Sequence, residues 1–259
     1  RVGAEVLAVN AELDEDKAVM SREEAGRNLD QLAQLVRSSG ADLGVMLDAT
    51  GERMRLVDRR GRKIPLGQAL VAFVDLISRT HDAPAVAVPV ATSRVVEDIV
   101  GRAGGRVVWS GISSSALSYA SREEGVVFAG AEGGGYIFPA FLPSYDALVA
   151  LAKLLELLAR TGSRLDEVID RLPSTHVARI DVATPWEDKG AVMRRLVERL
   201  DGQETVTIDG VKAFRGRDWA LVVPHPQEPL VRVWAESDGP DTSRELAGEF
   251  AALVEDLRG

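Results

Sequence analysis

From Leu43 to Asp58 the chain sets two short apolar runs on either side of a tight polar loop, and this stretch constrains the fold more than any other. Val45, Met46 and Leu47 read as a buried strand. Met54, Leu56 and Val57 begin a second strand that leads through Asp58 to a turn at Arg60-Gly61. The loop between them carries oxygen donors at alternate positions, Asp48, Thr50 and Glu52, and Gly51 gives it the freedom to arch. Such an arch can aim all three side chains at one hard cation such as magnesium, or it can be a solvated hairpin loop. Spacing alone leaves both readings open.

Around this stretch the patterns alternate between strand and helix. Val6 to Val9 reads as a strand. Ser21 and Glu24 form a capping box that opens a helix with Leu29, Leu32, Ala33, Leu35 and Val36 on its apolar face. A helix is expected over Ala69 to Ser78, with Leu70, Phe73, Val74 and Ile77 on one side. The pattern restarts after His81-Asp-Ala-Pro84: strands at Ala85 to Val90, Val107 to Trp109, Val126 to Phe128 and Tyr136 to Phe138, helices at Ser93 to Val100 and Leu117 to Arg122, then a long helix from Ser144 to Thr161. A third segment follows Pro173. Thr184-Pro-Trp-Glu187 reads as N-cap, first-position proline and box glutamate, and three strands (Thr205 to Ile208, Val211 to Phe214, Trp219 to Val223) come after the helix. A fourth strand at Leu230 to Ala235 and a helix from Ser243 to Leu257 close the chain.

The expected fold class is therefore α/β: two α/β/α segments with mostly parallel sheets, 1–80 and 81–172, then a smaller α+β segment with an antiparallel sheet, 173–259. Gly133-Gly134-Gly135 lies in the loop before the Tyr136 strand, where bare backbone N–H groups can approach an anion or simply make a tight connection. No Gly-Lys-Ser/Thr follows it, so it is not a Walker loop.

Composition excludes several function classes. A net charge of −9, with no dense lysine and arginine run, lacks the electrostatic footprint of a nucleic-acid binder. The absence of cysteine rules out thiolate metal sites and cysteine nucleophiles, and fits a reducing, cytoplasmic setting. The most apolar helical stretch, Ala147 to Leu158, is interrupted by Lys153 and Glu156 and is too short to span a bilayer. His81, His176 and His225 are far apart and fall in expected loops, and no nucleophile elbow is present. Beginning at Arg1 in a strand-like run, the chain reads as a piece of something longer.

Ala41-Asp-Leu-Gly44 followed by Asp48-Ala-Thr-Gly-Glu-Arg53, the glycine loop at 130–135, and Glu228-Pro-Leu-Val-Arg-Val-Trp-Ala-Glu236 together resemble the second to fourth domains of the α-D-phosphohexomutases, the phosphomannomutase and phosphoglucomutase family. Most similar is the mutase-like region at the end of mannose-1-phosphate guanylyltransferase-type chains, through Asp181-Val-Ala-Thr-Pro-Trp186. The resemblance implies an intramolecular phosphotransferase (isomerase) of hexose-phosphate and nucleotide-sugar metabolism. It places Asp48, Thr50 and Glu52 on magnesium, and Arg53, Glu132, Gly133 and Gly134 at the substrate, mannose or glucose 1- or 6-phosphate. It is compatible with a fused pyrophosphorylase domain and with a homo-oligomer, and implies neither a nucleic-acid nor a membrane partner.

The departures from the family pattern bear on activity. Two of the three metal-loop aspartates are replaced, by Thr50 and Glu52, which implies weak or lost magnesium binding. The sugar-loop glutamate falls on Ala131, one place before Glu132. In the phosphate loop the arginine, serine and threonine fall on Val223, His225 and Gln227. Loss of those donors removes much of what such a fold gives phosphoryl transfer. The family's phosphoserine belongs to a first domain outside this sequence, so no catalytic residue is assigned and the chain alone is expected to be inactive. The alternative expectation is a non-catalytic sugar-phosphate-binding or structural module attached to a guanylyltransferase.

Overall fold

The computed structural model describes residues 3–11 and 21–258 and divides the chain into two compact units. The first comprises residues up to Val88, Val96–Trp109 and Ser114–Leu172. The second comprises Pro89–Val95, Ser110–Ser113 and Pro173 onward.

In the first unit, α1 (Arg22–Ser39) opens on the expected capping box, with the Ser21 hydroxyl accepting the Glu24 N–H at 3.1 Å. It closes on Gly40, whose φ of 71° suits a left-handed C-cap. Strands β1 (Leu43–Leu47) and β2 (Met54–Asp58) form a two-stranded antiparallel sheet in which Leu47 faces Met54 and Leu43 faces Asp58. Ala33 and Val36 of α1 pack on Val57. A Cβ at Gly44 would come within 2.6 Å of Val36, so the helix approaches this sheet over a residue that has no side chain.

The expected strand at Val6 to Val9 does not form: these residues join no ladder, and Val6 and Leu7 are 79% and 71% exposed. An apolar run becomes a strand only when another strand accepts its hydrogen bonds, and among the described residues none does.

Helix α2 (Leu66–Thr80) is buried on most of its circumference rather than along one stripe, with Ala69 through Val74, Leu76 and Ile77 all inside. It lies between α5 (Ala147–Thr161) and α6 (Leu165–Arg171) on one side and β5 (Val126–Gly130) on the other. The sheet there has the order β4 (Arg106–Ser110), β3 (Ala85–Pro89), β5, β6 (Tyr136–Ile137), with β3 and β5 parallel and β5 and β6 antiparallel. Phe73 stacks on Phe128 at 5.4 Å and meets Tyr136 at 4.4 Å, tying α2 to this sheet. Helices α3 (Val95–Arg102) and α4 (Ser114–Ala120) complete the alternation.

The second unit carries the antiparallel sheet β7-β11-β10-β9-β8, built from Val177–Ala183, Leu230–Glu236, Asp218–Pro224, Val211–Arg215 and Thr205–Val206. Val231, Val233, Val222 and Val211 face α7 (Trp186–Arg199) and α8 (Pro240–Asp256), while Trp219, Leu221 and Val223 line the other face. Strand β7 has no counterpart among the expected strands, although Ala178, Ile180 and Val182 point into the core and alternate with outward Arg179, Asp181 and Ala183, the period-2 pattern of a half-buried strand. Helix α6 was likewise unexpected, since Leu165–Arg171 is short and mostly charged. Thr184 does not act as the N-cap of α7. It is buried and gives its hydroxyl to the Val182 carbonyl at 3.1 Å, so the helix starts after Pro185. Among the described residues no helix is long and apolar enough to cross a membrane.

Candidate functional site

Asp48 closes the loop between β1 and β2 with both its main chain and its side chain. Its N–H donates to the Arg53 carbonyl at 3.0 Å and its carbonyl accepts the Gly51 N–H at 3.1 Å. Its Oδ1 accepts the N–H groups of Glu52 and Arg53 at 2.9 and 3.0 Å, and its Oδ2 accepts the Thr50 hydroxyl at 3.0 Å. Three hydrogen bonds from its own loop occupy most of the acceptor capacity of one carboxylate.

That arrangement bears on whether a divalent cation fits. Thr50 spends its proton on Asp48, and Glu52 contributes its main chain to the loop while remaining exposed. Among the described residues no group of three or more histidine, cysteine, aspartate or glutamate side chains gathers to hold a metal. Magnesium demands near-octahedral oxygens at short range, and a carboxylate already capped by two N–H groups and a hydroxyl is a poor contributor. The donor set does not fit a preorganised magnesium site.

The glycine loop meets this arch directly. The Met54 N–H donates to the Gly134 carbonyl at 3.0 Å, and Arg53 and Gly135 form an antiparallel bridge. Within the loop, Ala131 N–H donates to Gly135 and Gly134 N–H to Ala131, each at 3.1 Å. Gly134 has φ +82°, and a Cβ there would lie 2.6 Å from the Met54 carbonyl oxygen, so only glycine allows this approach. Helix α5 locks the crossing from a third side, its Ala147 N–H donating to the Gly51 carbonyl at 2.9 Å. Asp146, the N-cap of that helix, accepts the Val149 N–H at 2.9 Å.

Arg53, Gly133 and Gly134 thus come together with Asp48 and Thr50. A Cβ at Gly133 would sit 3.8 Å from the Arg53 Nε, which places the guanidinium stem over the loop. Glu132 lies toward α2: a Cβ at Gly67 would come 3.7 Å from its Oε1. The first turn of α2 has no acidic residue of its own and no side-chain cap, and a carboxylate is favoured there by the helix dipole.

Sequence reasoning missed Tyr145. Its ring lies 5.8 Å from the Arg53 guanidinium carbon, and burial pushes its hydroxyl pKa up, with Arg53 opposing and Glu52 adding to that shift. No sequence signal marked it, because a single tyrosine before an N-cap has no motif of its own.

In the second unit, residues 223–229 form no cationic loop. Val223 is buried with Trp219 and Leu221. The carbonyls of His225 and Glu228 turn toward Lys189, whose ammonium donates to them at 2.6 and 2.5 Å and sits 3.6 Å from the centre of the Trp186 ring. The lysine braces the loop from beneath.

Residues 68–176 match the phosphoglucomutase/phosphomannomutase alpha/beta/alpha domain III. The chain is 34% identical to a probable phosphoglucosamine mutase of Methanopyrus kandleri over 98% of this chain and 56% of that protein. A phosphoglucomutase/phosphomannomutase family protein of Burkholderia thailandensis superposes with a TM-score of 0.74 at 22% identity, over 90% of this chain and 50% of its own. The N-acetylphosphoglucosamine mutase of Aspergillus fumigatus, solved with GlcNAc-6P and magnesium, superposes with a TM-score of 0.57 at 12% identity, over 86% of this chain and 56% of its own. The chain spans little more than half the length of the curated relatives it matches.

Proposed function

For a chain related to the phosphohexomutases, we propose that the crossing of the two loops in the first unit is a hexose-phosphate binding site. In this reading the segments 1–80, 81–172 and 173–259 correspond to the family's second, third and fourth domains. Arg53 supplies the cation for an anionic group of the ligand, Gly133 and Gly134 supply close-approaching backbone, and Glu132 lies at the rim of the same loop. The observation that carries the reading is the pairing of Met54 with Gly134 and of Arg53 with Gly135, which joins two loops 80 positions apart in sequence.

Phosphoryl transfer depends on positioned charge around the moving group. By the resemblance, Val223, His225 and Gln227 stand where the family has phosphate donors, and the Lys189 ammonium is bonded to the His225 and Glu228 carbonyls. We read the chain as binding hexose phosphate without itself catalysing transfer. Magnesium is part of the Aspergillus fumigatus complex. In this reading Asp48 is held by its own loop, and binding at the arch does not depend on a metal ion. The kinship with mutases supports a hexose-phosphate ligand over a purely structural module attached to a guanylyltransferase.

Calorimetric titration of mannose, glucose and glucosamine 1- and 6-phosphates into the protein, with magnesium and with chelator, tests this. Saturable heat that is indifferent to chelator and lost in Arg53→Ala is expected. Absence of heat with every sugar phosphate would sink the reading.

A further inference from the structure

The site contains one aromatic side chain that the loop chemistry does not explain. Tyr145 is delivered there by α5, whose N-cap Asp146 follows it and whose Ala147 N–H is bonded to the Gly51 carbonyl at 2.9 Å. Its ring lies flat against the glycine loop: a Cβ at Gly135 would come within 2.8 Å of three ring atoms. Position 135 is therefore kept bare by the ring. The guanidinium carbon of Arg53 lies 5.8 Å from the centre of the same ring, and the Nε of that side chain is 3.8 Å from where a Gly133 Cβ would stand.

An exposed arginine loses considerable rotamer freedom when it grips a ligand, and a surface that holds it beforehand removes part of that cost. A guanidinium suits this because its two functions are separate: its face stacks on an aromatic ring while its edge keeps its N–H donors for an anion. We propose that Tyr145 is the positioning residue of this site, holding the face of Arg53 so that its N–H edge is presented to the phosphate of a hexose phosphate. The proposal rests on the hexose-phosphate reading for its ligand but not for its geometry.

Three variants separate ring face, bulk and charge. Tyr145→Phe keeps the face, Tyr145→Leu keeps bulk on Gly135 without the face, and Arg53→Lys keeps the charge without the plane. The expected result is that Tyr145→Phe binds hexose phosphate like the wild type, whereas Tyr145→Leu weakens binding about fivefold, the range of a cation–π contact. Arg53→Lys should weaken it similarly, and the double variant Tyr145→Leu/Arg53→Lys should fall no further than either single change. In parallel, the Arg53 Nε–H resonance should be resolved in the wild type and Tyr145→Phe and averaged in Tyr145→Leu. If Tyr145→Leu leaves both affinity and resonance unchanged, the proposal is overturned. If the wild type binds no hexose phosphate, the ligand reading fails while the resonance alone still decides: a difference between Tyr145→Phe and Tyr145→Leu upholds the positioning role, and identity overturns it. Thermal melts of each variant distinguish loss of contact from loss of fold.

Discussion

The main-chain N–H of Met54 donates to the carbonyl of Gly134 at 3.0 Å, and this bond joins the return strand of the first hairpin to the glycine loop. The two residues lie far apart in sequence, yet the close approach of their backbones decides which side chains share the site. It requires that nothing stand between them.

Gly134→Ala tests that requirement. The new Cβ would meet the Met54 carbonyl oxygen at 2.6 Å in a left-handed backbone of φ +82°. The left-handed conformation alone costs about 1–2 kcal/mol for a residue with a side chain, and the contact adds to it. Urea unfolding should show at least that loss, together with weaker hexose-phosphate binding. Gly133→Ala, whose Cβ would have only Arg53 as a neighbour at 3.8 Å, should cost much less.

Asp48→Ala should open the arch, because it leaves the N–H groups of Glu52 and Arg53 and the Thr50 hydroxyl without their acceptor. Each such lost hydrogen bond is worth about 0.5–1.5 kcal/mol in a partly solvated site. Asp48→Asn retains an acceptor at Oδ1 and should keep most of the stability. If the arch is held by these bonds and not by a cation, the melting temperature of the wild type is unchanged by magnesium or by chelator. A saturable rise with magnesium would contradict this account.

The second unit has a buried carboxylate that is fully used. Glu236 accepts the Trp219 indole N–H at 2.6 Å and the Arg94 N–H at 2.9 Å, and it also accepts the Ser93 hydroxyl. Trp219→Phe removes one donor to a charged acceptor and leaves a gap in a fully buried position, and should cost about 2 kcal/mol. Glu236→Leu strands all three donors and should cost about 3 kcal/mol or more. Chemical denaturation ranks the two, and equal losses would mean that the carboxylate is not the hub.

Stability toward acid should depend on Asp181. The Arg179 and Arg232 guanidinium groups, bonded to it at 2.7 Å each, hold its carboxyl well below the usual carboxylate range. A depressed folded-state pKa gives stability that is complete above the unfolded value of about 3.9 and is lost as pH falls below it. With the side chain 34% exposed, solvent screening limits the contribution to about 1 kcal/mol. Asp181→Asn should therefore be less stable than the wild type near neutral pH, and the gap should narrow in acid below about pH 3. A gap that stays constant across that range would assign the loss to packing.

The sequence by itself determined what depends on local patterning. The Ser21 and Glu24 capping box, the Leu47 and Met54 strand ends around an acidic arch, the Gly133-Gly134-Gly135 loop and the apolar periods of α5 and α8 follow from residue type and spacing. Tertiary structure decided what depends on partners. Val6 to Val9 had a strand's composition but no ladder, whereas Val177 to Ala183 became β7 because β11 pairs with it along its whole length. Asp48 became the closure of its own loop because the main-chain N–H groups of Glu52 and Arg53 reach it first. Tyr145 acquired its place beside Arg53 only when α5 docked on Gly51. Contacts between segments remote in sequence are set by the packing of whole elements, and no local window of residues carries that information.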